Sequence, residues 1–188
     1  MTKKDIQPLV KVGNLNQMMC YSVGPIDRVP DAGKEWRLEL DSWLPSLGVT
    51  HINPHNKPFK GPQEDDSLRE EINSLKKKGI SGIAEIREKY SHIRTIDLRC
   101  VDLASFLIAR IDPNNHMCGT YEEIFTANRQ KKPILCHVVG GIENTPNWLA
   151  FTLPSWSFFG SMDDLRSYLV DINSSEHYWL DDRWAIFK

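Results

Sequence analysis

The sequence predicts an α/β protein, one domain with a mostly parallel sheet and helices on both of its faces. Three observations lead there. Short apolar runs such as "QMMCYSVGPI" and "SFLIARID" alternate with longer segments of helical period. Gly-Pro, Asn-Pro or Asp-Pro follows three of these runs, as happens where strands break into loops. No internal repeat or low-complexity tract interrupts the alternation.

The first strand lies within Gln17 to Ile26. A helix follows in "DAGKEWRLELDSWLPSLG", where Trp36, Leu40, Trp43 and Leu44 recur at helical spacing, Leu47 comes one turn later and Gly48 closes the segment. Its aromatics read as core rather than as a base-stacking platform. "VTHINPH" is a short second strand. Residues 56–90 form a highly charged helical insertion: "SLREEINSLKKKG" and the start of "GIAEIREKYSHIRTIDLRCVDLA" carry helical patterns, broken apart at Gly79 and Gly82. Then come the strand "SFLIARID", the helix "TYEEIFTANRQKK", the strand "PILCHVV" and a helix from Ser161 to Ile172 with a capping serine. The Trp-rich tail, around 173–188, is expected to dock on the domain or to contact a partner subunit.

Composition narrows the functional classes. A chain of 188 residues, 40% hydrophobic and 26% charged, buries a sizeable core. A net charge of −2 gives no electrostatic case for a nucleic-acid polymer or a membrane surface, and Lys76-Lys77-Lys78 is diluted by acidic neighbours. "MTKKDIQPLVKVGNLNQ" has no signal-peptide core, and no apolar run approaches a membrane span, so a cytoplasmic protein is expected. Cys20, Cys100, Cys118 and Cys136 are scattered and read as reduced, mostly buried thiols. His116, Cys118, Cys136 and His137 lack zinc-site spacing, so no metal is expected.

Ligands of open parallel sheets bind beyond the carboxyl ends of strands. Three such ends carry polar loops here: "YSVGPIDR", "NPHNKPF" and "DPNNHMCGTYEE". The third leads straight into a helix headed by the adjacent Glu122 and Glu123. Thr120 and Glu123 fit a capping box, in which Glu123 does no more than satisfy a backbone N–H. A carboxylate is also favoured near a helix N-terminus. Phosphate-loop, dinucleotide-binding and nucleophile-elbow motifs are all missing, which leaves a carboxylate-rich pocket with no cofactor motif.

Taken in order, "CYSVGPIDR", "TIDLRCVDLASFLIARID", "GTYEEIFTANRQKKPI" and "NTPNWLAF" resemble the nucleoside 2-deoxyribosyltransferases and the related deoxynucleoside monophosphate N-glycosidases. The likeness runs from about Cys20 to Leu165, and the charged insertion has no firm counterpart. It implies a five-stranded Rossmann-like or flavodoxin-like sheet, a deoxynucleoside or deoxynucleotide as small-molecule substrate, no cofactor, and a homo-oligomer, dimer or larger. It also implies roles. Glu123 takes the place of the nucleophile, Asp97 that of the acid serving the leaving base, and Tyr21 that of the aromatic that positions the nucleophile. Gly24 and Pro25 form the small-residue loop, Gly119 opens the signature, and Asn147 would help hold the sugar, in the transferases across a subunit boundary. Arg28 would meet a 5′-phosphate, or else pair with Asp27 or Asp31 at the surface. Many transferases have an Asp for the sugar hydroxyl where this chain has Met117; either Asp112 or Asn115 replaces it, or the sugar is read differently.

The chemistry fits the residue types. Cleaving a deoxyribose–base bond passes through an oxocarbenium-like state, which a carboxylate can stabilise or trap while a second acid serves the departing base. Attack by water then gives a hydrolase, and attack by a second base a transferase. The alternative is a non-catalytic nucleotide-binding or sensor protein on the same fold, for which Met117 is the best argument.

Overall fold

A computed structural model describes residues 13–26, 29–59, 66–175 and 183–184. Five strands form one all-parallel sheet: β1 (Met19–Val23), β2 (Thr50–Ile52), β3 (Phe106–Ile111), β4 (Ile134–Val138) and β5 (Phe158–Phe159). Their order is β2-β1-β3-β4-β5. The chain therefore leaves β1 in one direction and returns on its other side at β3. This reversal opens a crevice beyond the carboxyl ends of those two strands, where ligands of such sheets bind.

Period-two alternation sends the strand side chains to two cores. On one face, Tyr21, Val23, Leu107, Ala109, Ile134 and Cys136 are buried. They pack under helix α3 (Ile80–Leu103) and helix α4 (Cys118–Arg129), through Cys100, Val101, Ala104, Ile124 and Ala127. On the other face, Cys20, Phe106, Ile108 and Leu135 pack against helix α1 (Lys34–Trp43) and the C-terminal helix, Met162–Ser174. There Ser161 caps the helix by accepting from the Asp164 N–H at 3.1 Å. Trp184 is fully buried on this face, its ring 5.4 Å from Phe106, with Nε1 donating to the Tyr168 hydroxyl at 3.0 Å. Residues 176–182 and 185–188 of the predicted docked tail lie outside the described residues.

Several local expectations change. The predicted first helix ends in a 3₁₀ turn, Leu44–Leu47, and Gly48 closes it at φ 75°. The charged insertion is a hairpin of helix α2 (Asp66–Lys76) against α3. Gly79, at φ 67° and ψ −140°, makes the break. Gly82 does not; it lies inside α3, where a Cβ would overlap the Leu75 carbonyl of α2. Its bareness is what lets the two helices approach. The fifth strand, absent from the sequence reading of individual elements, is two residues long. Helix α5 (Asn147–Thr152) occupies what reads in sequence as loop.

Candidate active site

Three elements bring one side chain each to the crevice. Tyr21 comes from the middle of β1, on the face that carries Val23. Asp97 lies on the face of α3 that continues into Cys100, Val101 and Ala104, and it sits one turn closer to solvent. Glu123 lies on the buried stripe of α4 with Thr120, Ile124 and Ala127, at i, i+3, i+4 and i+7. The Tyr21 hydroxyl stands 2.9 Å from Glu123 Oε1 and 3.3 Å from Asp97 Oδ1. A phenol carries one proton, so it donates to one of these oxygens at a time.

The predicted capping box does not form. Helix α4 begins at Cys118 with Met117 as its N-cap and no side-chain cap, so Glu123 stands in the second turn, facing inward. Nor does the helix start keep Glu123 ionised. Glu123 is only 9% exposed. Burial first, and the Asp97 charge second, push it up from the ordinary 4.5 to about 8, against the weaker pull of Tyr21, Arg37 and Lys57. Desolvation outweighs the terminus because the helix field fades beyond the first turn. Tyr21 is likewise pushed well above its usual range by burial and then by Glu123 and Asp97. Glu122 has a different setting: it faces outward in a two-pronged pair with Arg94, which holds its carboxyl below the ordinary value.

Among the described residues two cations stand around the carboxylates. Lys57, in the loop after β2, places Nζ 2.5 Å from Asp97 Oδ1, with both side chains largely buried. Arg37, fully buried on α1, donates to the carbonyls of Gly24 (3.0 Å) and Gly33 (2.8 Å) and stacks on Trp36. It thereby fastens the Gly24-Pro25 loop. Sequence reasoning missed both. Arg37 had left a signal: with Leu40 and Leu44 at i+3 and i+7 it shares the buried stripe of its helix.

Two cavities meet at Asp97, Cys118, Gly119 and Glu123. One, about 300 Å³, lies against the strand ends and is lined by Tyr21, Gly24, Pro25, Arg37, Met117 and the fully buried Ser22. Among the described residues the Ser22 hydroxyl has no hydrogen-bond partner. The other, about 460 Å³, is a trough between α2, α3 and the start of α4. Tyr21, Gly24, Pro25, Asp97, Gly119 and Glu123 are thus brought together. Asp112 is not: it accepts from the Asn114 N–H and the Asn115 amide within its own loop and faces a separate small cavity. Met117 is buried, its sulfur accepting from the Asp112 N–H. Asn147 is exposed at the start of α5, away from both cavities. Arg28 lies outside the described residues. Among the described residues no group of three His, Cys, Asp or Glu side chains is placed to hold a metal ion, and no helix is long and apolar enough to cross a membrane.

The sheet order, the crevice and the carboxylates facing it define an α/β protein of flavodoxin-like fold with an acid pair at its topological switch point. That fold is shared with a 2-deoxyribosyltransferase from the psychrotolerant bacterium Bacillus psychrosaccharolyticus, a biocatalyst for the synthesis of antiviral and antitumoral nucleosides. The two chains superpose with a TM-score of 0.53 at 16% identity, over 80% of this chain and 91% of the other. No sequence-family model and no curated protein matches the chain.

Proposed function

We propose that this protein breaks the N-glycosidic bond of a deoxynucleoside or deoxynucleotide, with Glu123 as nucleophile, and passes the deoxyribose to a second base or to water. The observation that carries the reading is the buried chain of contacts from Glu123 through Tyr21 to Asp97. Two carboxyl groups in unlike environments form an acid–base set. Here burial favours the proton on Glu123, and Lys57 favours the anion at Asp97.

Before the bond breaks, the proton of Glu123 passes to the Tyr21 oxygen as the Tyr21 proton passes to Asp97. Glu123 is then the anion the reaction needs, and Asp97 the acid. The C1′–N bond breaks with its electron pair going to the base nitrogen, which takes the proton from Asp97. Glu123 Oε closes on C1′ to give a glycosyl ester. Attack by water on C1′ returns the carboxylate and frees the sugar; attack by a second base gives a new nucleoside. In either case the proton shed by the incoming group restores the pair. The sequence uses no metal or cofactor.

The small cavity, with Ser22, Gly24 and Arg37, is the sugar end on this reading, and Ser22 offers a polar contact where Met117 offers none. The reading includes a homo-oligomer. Trp148 and Phe151, 70% and 77% exposed and in edge contact, form an apolar surface beside Asn147 that suits a second copy.

The test is chromatographic. Each deoxynucleoside and its 5′-monophosphate is incubated with the protein, with and without a free second base. A new nucleoside identifies a transferase; free base with deoxyribose or its 5-phosphate identifies a hydrolase. No product from any substrate, with Glu123→Ala indistinguishable from wild type, overturns the proposal.

A further inference from the structure

We propose that the trough between α2, α3 and the start of α4 is the leaving-base subsite, and that it is built for a base carrying an extended apolar substituent. This rests on the reading of the site as one that breaks an N-glycosidic bond. The trough opens from the carboxylates themselves: Asp97 and Glu123 line both it and the sugar-end cavity. A ligand with C1′ at Glu123 therefore extends one way into each.

Polarity assigns the two ends. The sugar end is walled by strand-end loops with Ser22 and Arg37. In the trough, Leu68 and Ile72, one turn apart on α2, join Ile86, Tyr90 and Ile93 of α3. Flat, weakly hydrated base faces belong against that lining, and hydroxyl-bearing sugar against the other. Asp97 stands where the two meet, where the glycosidic nitrogen leaves.

Length and volume assign the substituent. Ile86, Tyr90, Ile93 and Asp97 follow one another along a single face of α3. At about 1.5 Å per residue the stripe reaches roughly 16 Å beyond the acid. A purine anchored by its glycosidic nitrogen at Asp97 covers only the near part. The trough's 460 Å³ exceeds the 300 Å³ of the sugar end, although sugar and base are of similar bulk. Of the cations that line it, Arg94 pairs with Glu122 and Arg69 donates to the Ile26 carbonyl, while Arg87 lines it next to Ile86. Among the described residues the rest of the distal lining is mainly apolar.

Two matched pairs of substrates test this: 2′-deoxyadenosine against its N6-benzyl derivative, and 2′-deoxyuridine against its 5-benzyl derivative. In at least one pair the benzylated member is turned over with kcat/KM about ten-fold higher or more, the gain expected from burying one further ring. Ile72→Trp, which fills the trough, collapses that ratio. Equal kcat/KM within both pairs, or a ratio unchanged in Ile72→Trp, overturns the proposal, as does light scattering that shows Ile72→Glu breaking an assembly of this chain. Calorimetry with the free bases separates this proposal from the one beneath it. If no nucleoside and no 5′-monophosphate is cleaved, the glycosidic reading fails. Ten-fold tighter binding of a benzylated base than of its parent, lost in Ile72→Trp, then still supports the trough, and equal binding refutes it.

Discussion

Replacing Glu123 with Gln should make the protein more stable. The native carboxyl titrates near 8 rather than at the ordinary 4.5, because it is desolvated and faces Asp97. Its folded-state value is raised, so between about pH 4.5 and 8 the native state binds a proton that the unfolded chain has lost. Stability therefore falls as pH rises through that window. At about 1.4 kcal/mol per pH unit, the cost is about 3 kcal/mol at pH 7 and about 5 kcal/mol above pH 9. Gln carries no titrating charge, and its amide can donate to the Tyr21 oxygen as the protonated carboxyl does, so it removes the cost with little change in shape. For a chain of this size the gain at pH 7 corresponds to roughly 6–12 °C in Tm. The assay is thermal unfolding of both proteins from pH 4 to 9 at fixed ionic strength. The curves should meet near pH 4.5 and diverge upward. Parallel curves, or a Gln variant less stable at pH 8, would refute both the raised value and the buried-acid account.

Three further outcomes are expected. Glu123→Ala abolishes turnover while Glu122→Ala keeps most of it, and the second change moves stability by under about 1 kcal/mol, since Glu122 and Arg94 form an exposed pair; steady-state kinetics on the best substrate, with thermal unfolding, decides, and the reverse result removes the assignment. Lys57→Gln removes the cation that stands 2.5 Å from Asp97, where two carboxyl groups share the Tyr21 hydroxyl. The acid limb of the kcat/KM profile should move up by about one pH unit or more, and Lys57→Arg should hold it; a lowered rate on an unmoved limb would mean that Lys57 is structural only. Gly82→Ala drives a methyl into the Leu75 carbonyl and should cost about 1–3 kcal/mol. An unchanged Tm would show that the α2–α3 hairpin gives way without strain.

The sheet was legible because strands buried on both faces are continuous apolar runs between turn signals, and three of the five strands, β1, β3 and β4, are of that kind. The fifth, Phe158–Phe159, is too short for any period to show. Gly82 was misread because a glycine needed for close approach and one that ends a helix look alike in sequence; the carbonyl of Leu75 distinguishes them. The resemblance names the three central residues together, with Tyr21 set to position Glu123, but no period or spacing in the chain carries that contact. Tyr21 stands 76 residues from Asp97 and 102 from Glu123, separations that only the strand order brings together. Lys57 was invisible for the opposite reason. In a stretch this rich in charge every lysine reads as solvated surface, and only the fold puts Asp97 in front of this one.

Why two adjacent glutamates should divide their work follows from the same physics. Glu122, half in water and paired with Arg94, is already a satisfied anion. Positive charge developing nearby would have to compete with a guanidinium and with solvent for it. Glu123 is a carboxyl whose negative form is held at a disadvantage by burial and by Asp97. The charge that relieves this disadvantage is one that arises next to it in the same low-dielectric space, where opposite charges interact far more strongly than in water. An oxocarbenium-like C1′ is such a charge, and it exists only as the glycosidic bond breaks. On this reading the stability lost in the resting protein is recovered at the transition state and nowhere else. For that reason the proposed nucleophile is the inward-facing glutamate rather than its exposed neighbour.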